Sequence, residues 1–87
     1  MRTSGWSRGA EQFRHALALD GWSARSVWGY DPELECYWAE LWRADTDRVP
    51  AVRIGVEHLV TTVDGLAGAM ASAGRIPGAA AFLALTA

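Results

Sequence analysis

Asp31-Pro32, set inside the run SVWGYDPELECYWAELWR (residues 26–43), is the feature that most narrows what this chain can fold into. Proline has no amide hydrogen and a fixed φ, so the pair either opens a helix or reverses the chain. Read as a helix start, Asp31 caps, Pro32 takes the first helical position, and Glu33 and Glu35 complement the positive end of the helix dipole. Leu34, Tyr37, Trp38, Leu41 and Trp42 then fall on one apolar stripe. Read as a reversal, Pro32 sits second in a type I turn. The preceding SVWGY, a poor helix and a reasonable strand, gains the partner it needs.

The neighbouring segment favours the hairpin. With the turn at Asp31 to Leu34, Trp28 lies opposite Tyr37, Val27 opposite Trp38 and Arg25 opposite Glu40, an aromatic pair and an opposite-charge pair among them. Alternation then sorts the side chains. Trp28, Tyr37, Ala39 and Leu41 form the more core-like face, and Arg25, Val27, Trp38, Glu40 and Trp42 form the other. A bulge at the turn would shift the register by one residue and exchange the faces.

The flanking segments supply the remaining elements. From Arg8, the residues Ala10, Phe13, Ala16 and Leu17 recur at helical spacing, and Gly21 after Asp20 offers a stop. Residues 50–57 alternate Val52, Ile54 and Val56 with smaller or charged residues, the period of a strand with one buried face. Thr61 and Asp64 have capping-box spacing ahead of a helix carrying Leu66, Met70 and Ala73, which stops at Gly74. Ile76-Pro77-Gly78 breaks the chain before AAAFLALTA, a short last helix or a docked tail. The expected fold is α+β: an N-terminal helix, a three-stranded antiparallel meander and a C-terminal helix, αβββα, with a short helical segment at the end. One globular domain is expected over residues 8–87 behind a loose tail, 1–7.

Composition limits the function classes. A chain of 87 residues holds one modest core and no deep cleft of its own. Eight arginines without a lysine are scattered and outnumbered by ten carboxylates, for a net charge of −2, which offers nucleic acid no general attraction. The single cysteine, Cys36, rules out an internal disulfide, and neither a signal-like apolar run nor a segment of membrane-spanning length is present. These features point to a cytoplasmic protein without a membrane partner. The absence of lysine and asparagine beside abundant alanine, glycine and arginine fits a GC-rich bacterial or phage genome.

No catalytic, metal-binding or cofactor-binding set emerges. His15 and His58 stand on separate elements, Glu57-His58 on a strand points to opposite faces, and nothing places a histidine beside Cys36. The acidic groups Asp31, Glu33, Glu35 and Asp45, Asp47 lack a calcium-loop pattern and suit turns. Five tryptophans exceed what so small a core requires. The expectation is a non-enzymatic protein-interaction module, in the manner of a small inhibitor or accessory factor of a phage or mobile element. It would dock through the sheet face bearing Arg25, Val27, Trp38, Glu40 and Trp42, residue types that dominate binding hot spots. The competing expectation is a single-stranded nucleic-acid binder using the same face, which the acidity opposes. Gly65, Gly68, Ala69 and Ser72, small residues in the 62–73 helix, add a weak homodimer as a second kind of contact.

Overall fold

The computed structural model describes residues 14–86. Four strands come first: β1 (Arg14–Ala16), β2 (Val27–Asp31), β3 (Cys36–Leu41) and β4 (Val52–Ile54). They form one antiparallel meander in the order β1-β2-β3-β4. A 3-10 turn (Val56–His58) leads into helices α1 (Val63–Gly74) and α2 (Gly78–Thr86). The architecture is therefore ββββαα, and the expected αβββα order is wrong in both strand count and the placement of helix.

The N-terminal helix is the main correction. Arg14, His15 and Ala16 are a strand, paired with Gly29, Trp28 and Val27; Ala10 and Phe13 of the proposed stripe, like the tail 1–7, lie outside the described residues. The reason is visible in HALALD. Ala16 is exposed, Leu17 buried, Ala18 exposed, Leu19 buried and Asp20 exposed, a period of two that the helical reading had broken by putting Ala16 and Leu17 on one face. The Leu17 amide extends the pairing by donating to Ser26 O at 2.9 Å. Gly21 does adopt a positive φ, +84°, but in the turn between strands rather than at a helix end.

Residues 33–43 are strand and turn, so the helical reading of that segment falls. The hairpin loop has four residues, Pro32, Glu33, Leu34 and Glu35, closed by Asp31 opposite Cys36. One Asp31 carboxylate oxygen accepts from the amides of Glu33 (3.0 Å) and Leu34 (3.2 Å), and Glu35 completes the reversal in the left-handed region at φ +54°. As a result Trp28 faces Ala39, and Tyr30 faces Tyr37. The register is displaced by two residues from the expected one. An even displacement keeps every side chain on its face.

The core lies on one side of the sheet. Ala39 and Leu41 of β3 and Val52 and Ile54 of β4 meet Leu66, Ala67 and Met70 of α1, with Ala81 and Leu85 of α2 behind them and Leu17, Leu19 and Ile76 closing the ends. Leu41, Leu66 and Met70 are fully enclosed, each contributing about 1.5–3 kcal/mol relative to an exposed side chain. β4 ends at Ile54, and Val56 opens the 3-10 turn rather than extending the strand. The cap of α1 is Thr62, whose Oγ1 accepts from Gly65 N at 2.9 Å, one residue later than the Thr61 expected. Among the described residues, no helix is long and apolar enough to cross a membrane.

Candidate functional site

Pairing register assigns the two faces of the sheet. Val27 stands opposite Glu40, Trp38 opposite Gly29, Arg14 also opposite Gly29 from the other side, and Arg53 opposite Glu40. Val27, Trp38 and Glu40 therefore share the face turned away from the core, bordered by Arg14 and Arg53. All three are half-buried. Among the described residues, the Trp38 indole Nε1–H, shielded from solvent, has no hydrogen-bond acceptor, and the Arg14 guanidinium lies 6.0 Å from its ring.

Arg25 and Trp42, the other two residues assigned to that face from the sequence, are placed elsewhere. β3 ends at Leu41, so strand alternation no longer governs Trp42, and its side chain is buried at 9% exposure. The Arg25 guanidinium stacks 3.7 Å from its ring, and Arg25 Nη1 donates to the carbonyls of Asp45 (2.7 Å) and Asp47 (2.9 Å). The pair closes the 42–51 connection. Ser23 Oγ donates to Asp45 Oδ1, Ala44 N donates to Asp47 Oδ2, and Trp42 N donates to the buried Ser26 Oγ at 3.0 Å. The anticipated Arg25 and Glu40 pair does not form, because Val27 occupies the position across from Glu40.

The opposite face carries an aromatic arrangement, of which the sequence reading assigns Trp28 and Tyr37 to the core side. His15 in β1 lies 4.9 Å from Trp28 in β2, Trp28 lies 6.1 Å from Tyr37 in β3, and Tyr37 lies 4.8 Å from Tyr30. The rings are tilted by 33°, 33° and 56°, in the range of distances at which aromatic pairs attract. Among the described residues, α1 packs across β3 and β4, and the β1 and β2 side of this face carries these rings. Trp28 and Tyr37 touch the core with one edge and remain half-buried, while His15 is exposed. The sequence signal for the ladder is the excess of aromatic residues over what so small a core requires.

The charge beside the ladder is negative. The adjoining hairpin loop exposes Glu33, Glu35 and Leu34, the last at 56%. Partial burial, followed by the nearby charge of Glu35, pushes the Tyr30 hydroxyl above the ordinary tyrosine value, so it stays a neutral phenol.

The remaining chemistry-bearing groups are dispersed. Cys36 is buried, with Sγ donating to Leu34 O at 3.2 Å. Glu57 and His58 share the 3-10 turn rather than a strand, and so are not on opposite faces: His58 Nδ1 is 3.9 Å from Glu57 Oε2, which also receives Arg53 Nη1 at 3.1 Å. All three are exposed side chains. Among the described residues, no group of three histidine, cysteine or acidic side chains is arranged to hold a metal ion. Gly65, Gly68 and Ser72 lie on the exposed side of α1, with open space where a Cβ of Gly68 would project.

No known protein family, functionally characterised protein or solved structure matches this chain.

Proposed function

We propose that this chain is a non-catalytic protein-docking module that engages its partner through the sheet, with the aromatic ladder of His15, Trp28, Tyr37 and Tyr30 as the contact. The observation that carries the reading is the continuity of those four rings across three strands. Aromatic side chains offer large contact area at low conformational cost and concentrate binding energy at interfaces. Glu33 and Glu35 beside the ladder favour a partner that presents basic side chains, since charge complementarity speeds association and excludes wrong partners. The same carboxylates oppose a nucleic-acid strand. A small inhibitor or accessory factor in the cytoplasm of a bacterial host fits the size, the acidity and the single cysteine.

The test is comparative capture from a GC-rich bacterial host, using three baits: wild type, His15→Ala with Trp28→Leu, and Val27→Ser with Trp38→Ala. Each bait is first checked for folding by circular dichroism. Loss of a captured protein with the first variant alone supports the ladder. Loss with the second alone returns the contact to the outer face, and equal recovery by all three removes the sheet from consideration. Saturable, salt-sensitive binding of the wild type to a mixed-sequence single-stranded oligonucleotide would replace the protein partner with nucleic acid.

A further inference from the structure

At the end of the molecule where the β1–β2 connection meets the α1–α2 link, the structure holds a cleft of about 430 Å³, within the size range of small-molecule sites. Part of its lining is apolar. Leu19 and Ile76 are buried there, and Trp22 lies against the backbone of α1: a Cβ on Gly74 would stand 3.3 Å from Trp22 Cζ2 and 3.0 Å from Ile76 Cδ1. Glycine at 74 thus leaves room for the close approach of Trp22 and Ile76 to the helix end.

The rim is cationic. Arg43 and Arg75 both line the cleft and both are exposed. The Arg43 guanidinium lies over the Trp22 ring, 3.9 Å from its centre. Arg75 is held at the end of α1 in the left-handed conformation, φ +54°. Among the described residues, neither has a carboxylate within ion-pair distance, whereas Arg53 is paired with Glu57, and Arg25 is held by the Asp45 and Asp47 carbonyls. Asp20 is the single acidic lining residue against two arginines, so the cleft is locally positive in a chain of net charge −2. Apolar side chains beside two guanidiniums that have no carboxylate partner select for a particular chemistry.

We propose that this cleft binds an organic anion with a flat apolar body and one carboxylate or phosphate group, the body resting on Trp22, Leu19 and Ile76 and the acid accepting from Arg43 and Arg75. Planar guanidiniums suit both head groups because each presents two parallel N–H donors to two oxygens. The site lies apart from the aromatic ladder, so neither proposal depends on the other.

The proposal is tested by titrating the full chain, at fixed ionic strength, with benzoate, phenyl phosphate, inorganic phosphate and benzylamine, following backbone and indole N–H resonances. Saturable shifts confined to Trp22, Gly74, Arg75 and their neighbours are expected with benzoate or phenyl phosphate, and the tighter of the two identifies the head group. Inorganic phosphate should bind more weakly by about tenfold or more, lacking the apolar body, and benzylamine should not shift these resonances. Arg43→Gln with Arg75→Gln, both at exposed positions without ion pairs, should weaken binding by about tenfold or more while leaving the resonances of Leu41 and Leu66 in place. No saturable shift, equal binding by the double variant, or inorganic phosphate binding as tightly as phenyl phosphate would overturn it.

Discussion

Arg25 lies 3.7 Å over the indole of Trp42 and, from the same guanidinium, donates to the carbonyls of Asp45 and Asp47, so one side chain joins the start of β2 to the connection that follows β3. Two residues that looked like a binding surface are a clasp. Arg25→Ala should lower the unfolding free energy by about 1–2 kcal/mol, combining a cation–π contact with charge-assisted hydrogen bonds at an exposed site. Arg25→Lys should recover less than half of that, because an ammonium neither stacks flat nor presents a fork. Urea denaturation measures both, and an Arg25→Ala variant as stable as wild type would contradict the clasp.

Ser26 is fully buried, and its Oγ accepts from Trp42 N at 3.0 Å. Ser26→Ala leaves that amide enclosed without an acceptor, which costs about 1–3 kcal/mol. The expected signature is a lower urea midpoint together with faster hydrogen exchange at the Trp42 amide. A midpoint unchanged from wild type would mean that another acceptor had replaced the hydroxyl.

Glu35 occupies the left-handed region at φ +54°, where a side chain with a Cβ is strained. Glycine at this position removes the strain and adds unfolded-chain freedom, and the first term is larger. Glu35→Gly should therefore stabilise the protein by about 0.5–1 kcal/mol, and Glu35→Val should destabilise it. Asp31→Ala in the same loop should cost about 1 kcal/mol by releasing the Glu33 and Leu34 amides. Thermal melts of the three variants give the order directly.

The Glu57 carboxyl is held below the ordinary glutamate value first by its own backbone amide, against the opposing effect of burial, with the charge and hydrogen bond of Arg53 and the charge of His58 adding smaller lowering effects. A depressed folded value means that its stabilising contribution is present above the unfolded glutamate value and is lost as the pH falls through the folded one. Because the side chain is exposed, the contribution is small, and the titration midpoint is the sensitive quantity. Arg53→Gln should raise that midpoint in an NMR titration of the Glu57 side chain, while leaving it below the ordinary value through the remaining backbone amide. A midpoint that does not move would remove Arg53 from the account.

The legible parts of the fold were those where alternation and turn chemistry agreed. Val52 and Ile54 are buried around an exposed Arg53, and Ala39 and Leu41 face the core beside them. Where two periods fit the same residues, the local pattern misled: HALALD supports a helix if Ala16 counts as apolar and a strand if it counts as neutral. The long-range pairing of β1 with β2 settles the matter, and that pairing is not a local property. The hairpin register was missed because nothing in Pro-Glu-Leu-Glu announces a left-handed glutamate, and Asp31 turned out to cap a longer loop. At the candidate site, Trp28 and Tyr37 were placed on the correct face, while how far the helices extend over that face depends on packing that no spacing records.

The even displacement of the β2 and β3 register also bears on how this hairpin can change over generations. Any length change at residues 32–35 that is taken up by sliding one strand along the other must come in steps of two, because a single step would turn Ala39 and Leu41 to solvent and bring Glu40 into the core. Variation at this tip is thus quantised by the pleat of the sheet. Related chains are expected to carry loops differing by pairs of residues, or single insertions that bulge outward and leave the strands where they are.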